Sequence, residues 1–173
     1  MTRDPELQVL LDKQAITEVL YSYCRAVDRA DLELLRACYH PDATEDHGGA
    51  FKGSAADYIA NIAPILPRGG IMTHTTSNIL IAVDGDTAKA ESHILAFARM
   101  KKDGEKFDTL TLARVVDRME RRDGVWRIAA RRLAWEWNHE MPMAETWGRG
   151  LLAPDASVLV RGAKHPNDIV YTS

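Results

Sequence analysis

Three Asp-Gly dipeptides, Asp84-Gly85, Asp103-Gly104 and Asp123-Gly124, punctuate the second half of this 173-residue chain. They separate β-rich runs at roughly 71–83, 87–100, 107–119 and 125–138. Asp-Gly between apolar, β-branched runs is the strongest short hairpin signal, because glycine takes up positive φ without steric cost. Three such turns in succession predict an antiparallel meander. Its long strands twist and curl, so the sheet presents a concave side.

The preceding residues follow a helical period. From Pro5 to Val27, apolar side chains fall at Ile16, Val19, Leu20, Tyr23, Cys24 and Val27, the spacing of a helix with one buried face. Asp31 reads as the N-cap of a short second helix, Leu32 to Tyr39, ended by Pro41. Ser54 with Asp57 resembles a capping box for a third helix carrying Tyr58, Ile59 and Ile62. Helices followed by an antiparallel sheet give the α+β class. The expected architecture is a cone-shaped α+β barrel, with N-terminal helices packed on a strongly curved antiparallel sheet that encloses an apolar pocket. One domain accounts for residues 1–173, with a core of about 10–138. The extension 139–173 holds Trp147, Leu151, Leu152 and Val158–Val160, too apolar for a free tail. It is expected to cover the pocket mouth or to pack on a neighbouring subunit.

Charge excludes some partners. The net charge of −3 comes from interspersed acids and bases, so the concentrated positive face that nucleic acid requires is missing. The arginines of 114–132 alternate with apolar residues and acids, as on a strand with a solvated face. No stretch has the length of a bilayer span and no signal peptide is visible, so the cytoplasm is the expected location. Cys24 and Cys38 are read as two reduced thiols on apolar faces, not a disulfide. Asp46-His47-Gly48 could bind a metal, but no second ligand group stands at a suitable spacing, and HExxH and CxxC pairs are absent. Neither a glycine-rich phosphate loop nor a GxSxG elbow occurs. The expectation is no metal and no cofactor.

Four residues are candidates for chemistry. Asp28 continues the line Leu20, Cys24, Asp28 on the apolar side of the first helix, where a carboxylate needs a partner; alternatively the helix ends by Ala26 and Asp28 is a turn residue. His74 stands in a strand on which His74, Thr76, Asn78 and Leu80 would share one face, and its ordinary pKa suits a base near neutrality. Taken alone, it is equally a half-exposed strand histidine. Tyr23, about 140° around the helix from Asp28, reaches the same cavity from the edge of the stripe or simply packs in the core. Arg131 shares a strand face with Leu133, Trp135 and Trp137, an apolar setting for a guanidinium, while its neighbour Arg132 competes for the inward position. His40, His93 and His139 carry weaker signals.

The ordered pieces Ala15-Ile16-Thr17-Glu18, Tyr23, Ala26-Val27-Asp28, Tyr39-His40-Pro41-Asp42-Ala43, Thr73-His74, Asn78 and Glu120 to Ile128 resemble the SnoaL-like branch of the nuclear transport factor 2-like superfamily. Its members include polyketide cyclases, scytalone dehydratase, bile acid 7α-dehydratase and hexachlorocyclohexane dehydrochlorinase. The resemblance implies that Asp28 orients His74 as a base. It also matches Tyr23 to a tyrosine of the bile acid dehydratase, where the dehydrochlorinase has lysine, and Arg131 to an arginine beyond the Asp-Gly-x-Trp motif. Trp126 and Arg131 have opposite strand parity, so either they face opposite sides of the sheet or a bulge intervenes.

The implied activity is that of a cofactor-independent lyase or isomerase, dehydratase-like, that abstracts a proton from a hydrophobic ring-type small molecule. The alternative is a non-catalytic module for a small ligand or scaffold, like the small subunits of ring-hydroxylating dioxygenases. A homodimer or homotrimer is expected, because an open curved sheet leaves apolar surface for another copy to cover.

Overall fold

The computed structural model describes residues 4–144 and 159–172. Helix α1 (Pro5–Arg29) begins where the Asp4 carboxylate accepts from the Glu6 amide and Pro5 fills the first turn. It stops at Ala30, which takes a left-handed φ of 56° and returns its N–H to the carbonyls of Ala26 and Val27. Asp28 therefore lies inside the helix, in its last turn, and is buried with Leu20 and Cys24. Helix α2 (Leu32–Ala37) is capped by Asp31, and α3 (Ala55–Ile62) by Ser54, whose hydroxyl accepts from the Asp57 amide.

The strands are β1 (Tyr39–Asp46), β2 (Lys52–Ser54), β3 (Met72–Asp84), β4 (Thr87–Lys102), β5 (Glu105–Arg122) and β6 (Val125–Pro142). The last four form the expected meander. Asp103 with Gly104 and Asp123 with Gly124 sit at positive φ in two-residue turns. In the first turn the central pair is Gly85-Asp86, with Asp84 and Thr87 closing the ladder.

Several features depart from expectation. The second helix ends at Ala37, and Tyr39–Asp46 is a strand with Pro41 inside it. Proline is tolerated there because the pairing with β6 is irregular between Tyr39 and Thr44, so the amide Pro41 lacks falls outside the regular ladder. Since β1 runs parallel to β6, the sheet is mixed rather than wholly antiparallel. Its order is β2-β1-β6-β5-β4-β3, with two free edges, so the cone is an open curved sheet and not a closed barrel.

Two bulges decide which side chains face inward. At Asn78, with φ of 51°, the β3–β4 register shifts between Ser77 and Leu80. The alternation then reverses: Ile79, Ile81 and Val83 join the core and Leu80 is exposed, so Leu80 does not share a face with His74 as expected. On β6, Arg118 pairs with Ala130 and Met119 with Ile128, which leaves Ala129 as the extra residue. That bulge turns Arg131 to the same buried side as Trp126 and sends Arg132 to solvent.

The core lies between α1 and the concave face, where Ile16, Leu20, Val27, Val115, Met119 and Ile128 join one buried cluster. The Asp-Gly-x-Trp hairpin is fastened to α1 through Asp12, which accepts from Trp126 Nε1 at 2.9 Å and from Arg121 Nη1 at 2.7 Å. Cys24 and Cys38 are buried free thiols. The described part of the tail packs on the C-terminal end of α1. The Tyr171 hydroxyl donates to Asp31, the His165 amide donates to the Arg29 carbonyl, and Arg29 pairs with Asp168. Trp147, Leu151, Leu152 and Val158 lie outside the described residues. Among the described residues, no helix is long and apolar enough to cross a membrane.

Candidate active site

A cavity of ≈ 260 Å³ opens between the helices and the concave face. Its apolar walls come from α1, the segment after α3 and strands β3 to β6: Val27, Ile65, Leu66, Met72, Ile94 and Leu133 are representative. Tyr23, His74 and Arg131 all line it, and Asp28 stands behind His74. The four residues singled out in the sequence thus meet at one place.

His74 reaches the cavity from the start of β3, and Asp28 from the last turn of α1. Asp28 Oδ1 lies 2.6 Å from His74 Nδ1. The same carboxylate accepts the His74 backbone N–H, at 3.1 Å to Oδ1 and 2.9 Å to Oδ2. Asp28 is only 7% exposed, so this pairing satisfies a charge that would otherwise be costly to bury. A carboxylate only accepts, so Nδ1 carries a proton and Nε2 is the ring nitrogen left for chemistry. Lys164 holds the other side of the turn by donating from Nζ to the Asp28 carbonyl at 2.8 Å. Burial pushes the Lys164 pKa down, against the pull of Asp28.

Arg131 is 2% exposed and forms a two-pronged pair with Asp117, Nε to Oδ1 at 2.7 Å and Nη2 to Oδ2 at 2.8 Å. Burial works against the guanidinium charge, but Asp117 outweighs it and holds the Arg131 pKa above its usual range. Its Nη1 is buried without a hydrogen-bond partner, which leaves an unsatisfied cationic donor on a residue that lines the cavity. The guanidinium also lies 3.9 Å from the centre of the Tyr23 ring. The Tyr23 hydroxyl meets that of Tyr58 at 3.4 Å. Burial, with Tyr58 next to it, raises the Tyr23 pKa well above that of a free phenol, so the hydroxyl stays protonated and available to donate.

Sequence reasoning missed three participants: Glu45, His47 and Tyr58. His47 lines the cavity, stacked on Tyr58 with ring centres 5.0 Å apart and edge-on to Trp135 at 5.6 Å. Its Nδ1 lies 3.0 Å from Oε1 of Glu45, which is 1% exposed. The readable signal was the two-residue spacing of Glu45 and His47, which puts both on one face once 39–46 is taken as a strand. The remaining histidines have other settings. His40 Nε2 meets the Glu120 carbonyl at 2.9 Å, and His93 Nδ1 meets Asn78 at 3.2 Å. Among the described residues, no group of three or more His, Cys, Asp or Glu side chains is placed to hold a metal ion.

A family model of the SnoaL-like domain matches residues 8–132. The chain belongs to the SnoaL-like family, within the nuclear transport factor 2-like superfamily. No curated protein matches it. Among solved structures, this SnoaL-like domain is similar to a type 2 hexachlorocyclohexane dehydrochlorinase, LinA, with a TM-score of 0.73 and 19% identity over 84% of this chain and 99% of that one. A type 3 LinA from Novosphingobium barchaimii gives 0.69 and 21%, covering 82% and 99%. A candidate scytalone dehydratase from Novosphingobium aromaticivorans gives 0.68 and 23%, covering 82% and 96%. These likenesses establish a common fold.

Proposed function

We propose that this SnoaL-like protein is a lyase or isomerase that removes a proton from a small, mostly apolar ring compound, with side chains carrying the acid–base chemistry. The observation that supports this most is the 2.6 Å contact between Asp28 and His74 at the edge of an apolar cavity, with His74 Nε2 left unpaired. His74 takes a proton next to a carbonyl or vicinal to a leaving group. Asp28 keeps the ring in the right tautomer and stabilises the imidazolium as it forms. Tyr23 donates a hydrogen bond to the departing oxygen or to an enolate. Arg131 Nη1 binds the oxygen that gathers negative charge; in a site shielded from water such a donor counts for more than in solution. The elimination chemistry named for the structurally similar dehydrochlorinase and dehydratase supports the same reading.

Solvent exchange tests it. In deuterated water, wild-type protein should catalyse deuterium uptake at the α-carbon of apolar cyclic ketones, followed by mass spectrometry, and His74→Gln should not. Binding of such ketones without exchange in the wild type would leave a ligand-binding module as the better account.

A further inference from the structure

The two histidines of the cavity come from opposite sides of the sheet, His74 from the edge strand β3 and His47 from the turn after β1. On the sheet, His74 is level with Ala96 of β4, and Ala96 with Thr111 of β5. The adjacent row runs Thr76, Ile94, Ala113 and Trp135 from β3 to β6. Trp135 touches the His47 ring and donates from Nε1 to the Gly48 carbonyl at 3.1 Å, which pins the turn that carries His47. Ala96, Thr111, Ile94 and Ala113 all line the cavity, so they form the floor between the two rings. Both rings line the cavity, so each borders whatever compound occupies it.

Each histidine has its own carboxylate. Glu45 holds His47 Nδ1 through Oε1 and accepts the Tyr39 hydroxyl at 2.7 Å through Oε2, which fixes the carboxylate as Tyr58 fixes the plane of the ring. Among the described residues, His47 Nε2 has no hydrogen-bond partner. Glu45 accepts at Nδ1, so Nε2 is the ring atom left to pass a proton to whatever occupies the cavity.

We infer that Glu45–His47 is a second dyad, which protonates the leaving oxygen while His74 removes the C–H proton, and that the substrate is therefore a β-hydroxy carbonyl compound or similar cyclic alcohol that loses water. This rests on the elimination reading above. The step is redox-neutral: the C–H electron pair becomes the new C=C bond, and the C–O bond breaks with its pair going to oxygen. That oxygen takes the His47 Nε2 proton and departs as water. His74 finishes protonated and His47 neutral, and proton exchange with solvent resets both. Hydroxide is a strong base and leaves poorly unless protonated, whereas a halide or nitrophenolate leaves without help. A proton donor facing the base is useful only for the first kind of leaving group.

The experiment compares 3-hydroxy cyclic ketones with their 3-(4-nitrophenoxy) counterparts, which yield the same enone. His47→Gln keeps an amide donor for Glu45 and so preserves the local fold. It should lower elimination of the hydroxy ketones about 100-fold or more, the range in which a general acid contributes, and of the nitrophenyl ethers less than about 10-fold. Glu45→Gln, acting through His47, should skew the ratio the same way, which a merely structural role would not do. Equal losses on both substrates, or no loss on the hydroxy ketones, would overturn the inference while leaving His74 as the base. If the wild type eliminates neither leaving group, the elimination reading fails and the second dyad with it.

Discussion

Arg131 and Asp117 are register partners on β6 and β5, joined by two hydrogen bonds of 2.7 and 2.8 Å and almost wholly shielded from water. Removing one member leaves a buried charge without compensation, whereas replacing both with apolar groups removes the desolvation cost as well. Asp117→Asn should lower the unfolding free energy by about 3–5 kcal/mol in urea denaturation. The double variant Asp117→Leu/Arg131→Met should recover most of that stability yet lose activity, since the cationic Nη1 donor to the substrate oxygen is then gone. If Asp117→Asn costs less than about 1 kcal/mol, water reaches the pair and the buried reading is wrong.

Asp28→Asn probes orientation without changing shape. The asparagine carbonyl can still accept the His74 backbone amide. Its NH2 group, turned toward Nδ1, favours the tautomer with the proton on Nε2 and so removes the base. The rate constant kcat for proton removal should fall by at least about 100-fold with KM changed little. A variant altered only in KM would mean that Asp28 shapes binding and does not set the tautomer.

Much of this layout was legible because short-range chemistry dictated it. Gly104 and Gly124 supply positive φ at the turns, Asp31 and Ser54 cap their helices, and the stripe through Leu20 and Cys24 carried Asp28 inward. What escaped depended on strand pairing. Alternation read along the sequence cannot reveal a bulge, so it puts Leu80 on the wrong face and leaves the side of Arg131 open, which the extra residue Ala129 decides. The strand Tyr39–Asp46 was hidden by Pro41, which usually argues against a strand and is accommodated here only by the irregular pairing with β6. With that strand went the Glu45–His47 pair, since their common face exists only in extended backbone. The parallel pairing of β1 with β6 joins residues some ninety positions apart in sequence, and no local pattern announces it.

Lys164 ties the tail to the helix turn that carries Asp28, so the tail's local stability should report on that contact. The His165 amide donates to Arg29 at 2.6 Å and the Ala163 amide to Asp168 at 2.8 Å. Lys164→Met removes a charged donor from the buried Asp28 carbonyl, a change worth about 1–3 kcal/mol. Hydrogen exchange at the Ala163 and His165 amides should quicken by roughly 5- to 160-fold while amides in the middle of β5 stay as slow as before. Uniform acceleration throughout the chain would instead indicate that Lys164 supports the whole fold.

His40 should make stability fall in mildly acidic solution. It is buried against the Glu120 carbonyl, and burial, reinforced by Arg122 and Arg127, holds its pKa below the ordinary histidine value, with Asp42 as a partial counterweight. The unfolded chain takes up a proton near pH 6.5, where the folded protein still resists it. The stabilisation from neutral His40 is therefore complete above about pH 6.5 and drains away as pH drops below that value, by at most about 1.4 kcal/mol per pH unit for one proton. The loss levels off below the folded-state pKa. Urea denaturation between pH 5 and pH 8 should show this slope in the wild type, and His40→Gln, which can still donate to the Glu120 carbonyl but does not titrate, should flatten it. A slope unchanged in His40→Gln would assign the acid sensitivity to another group.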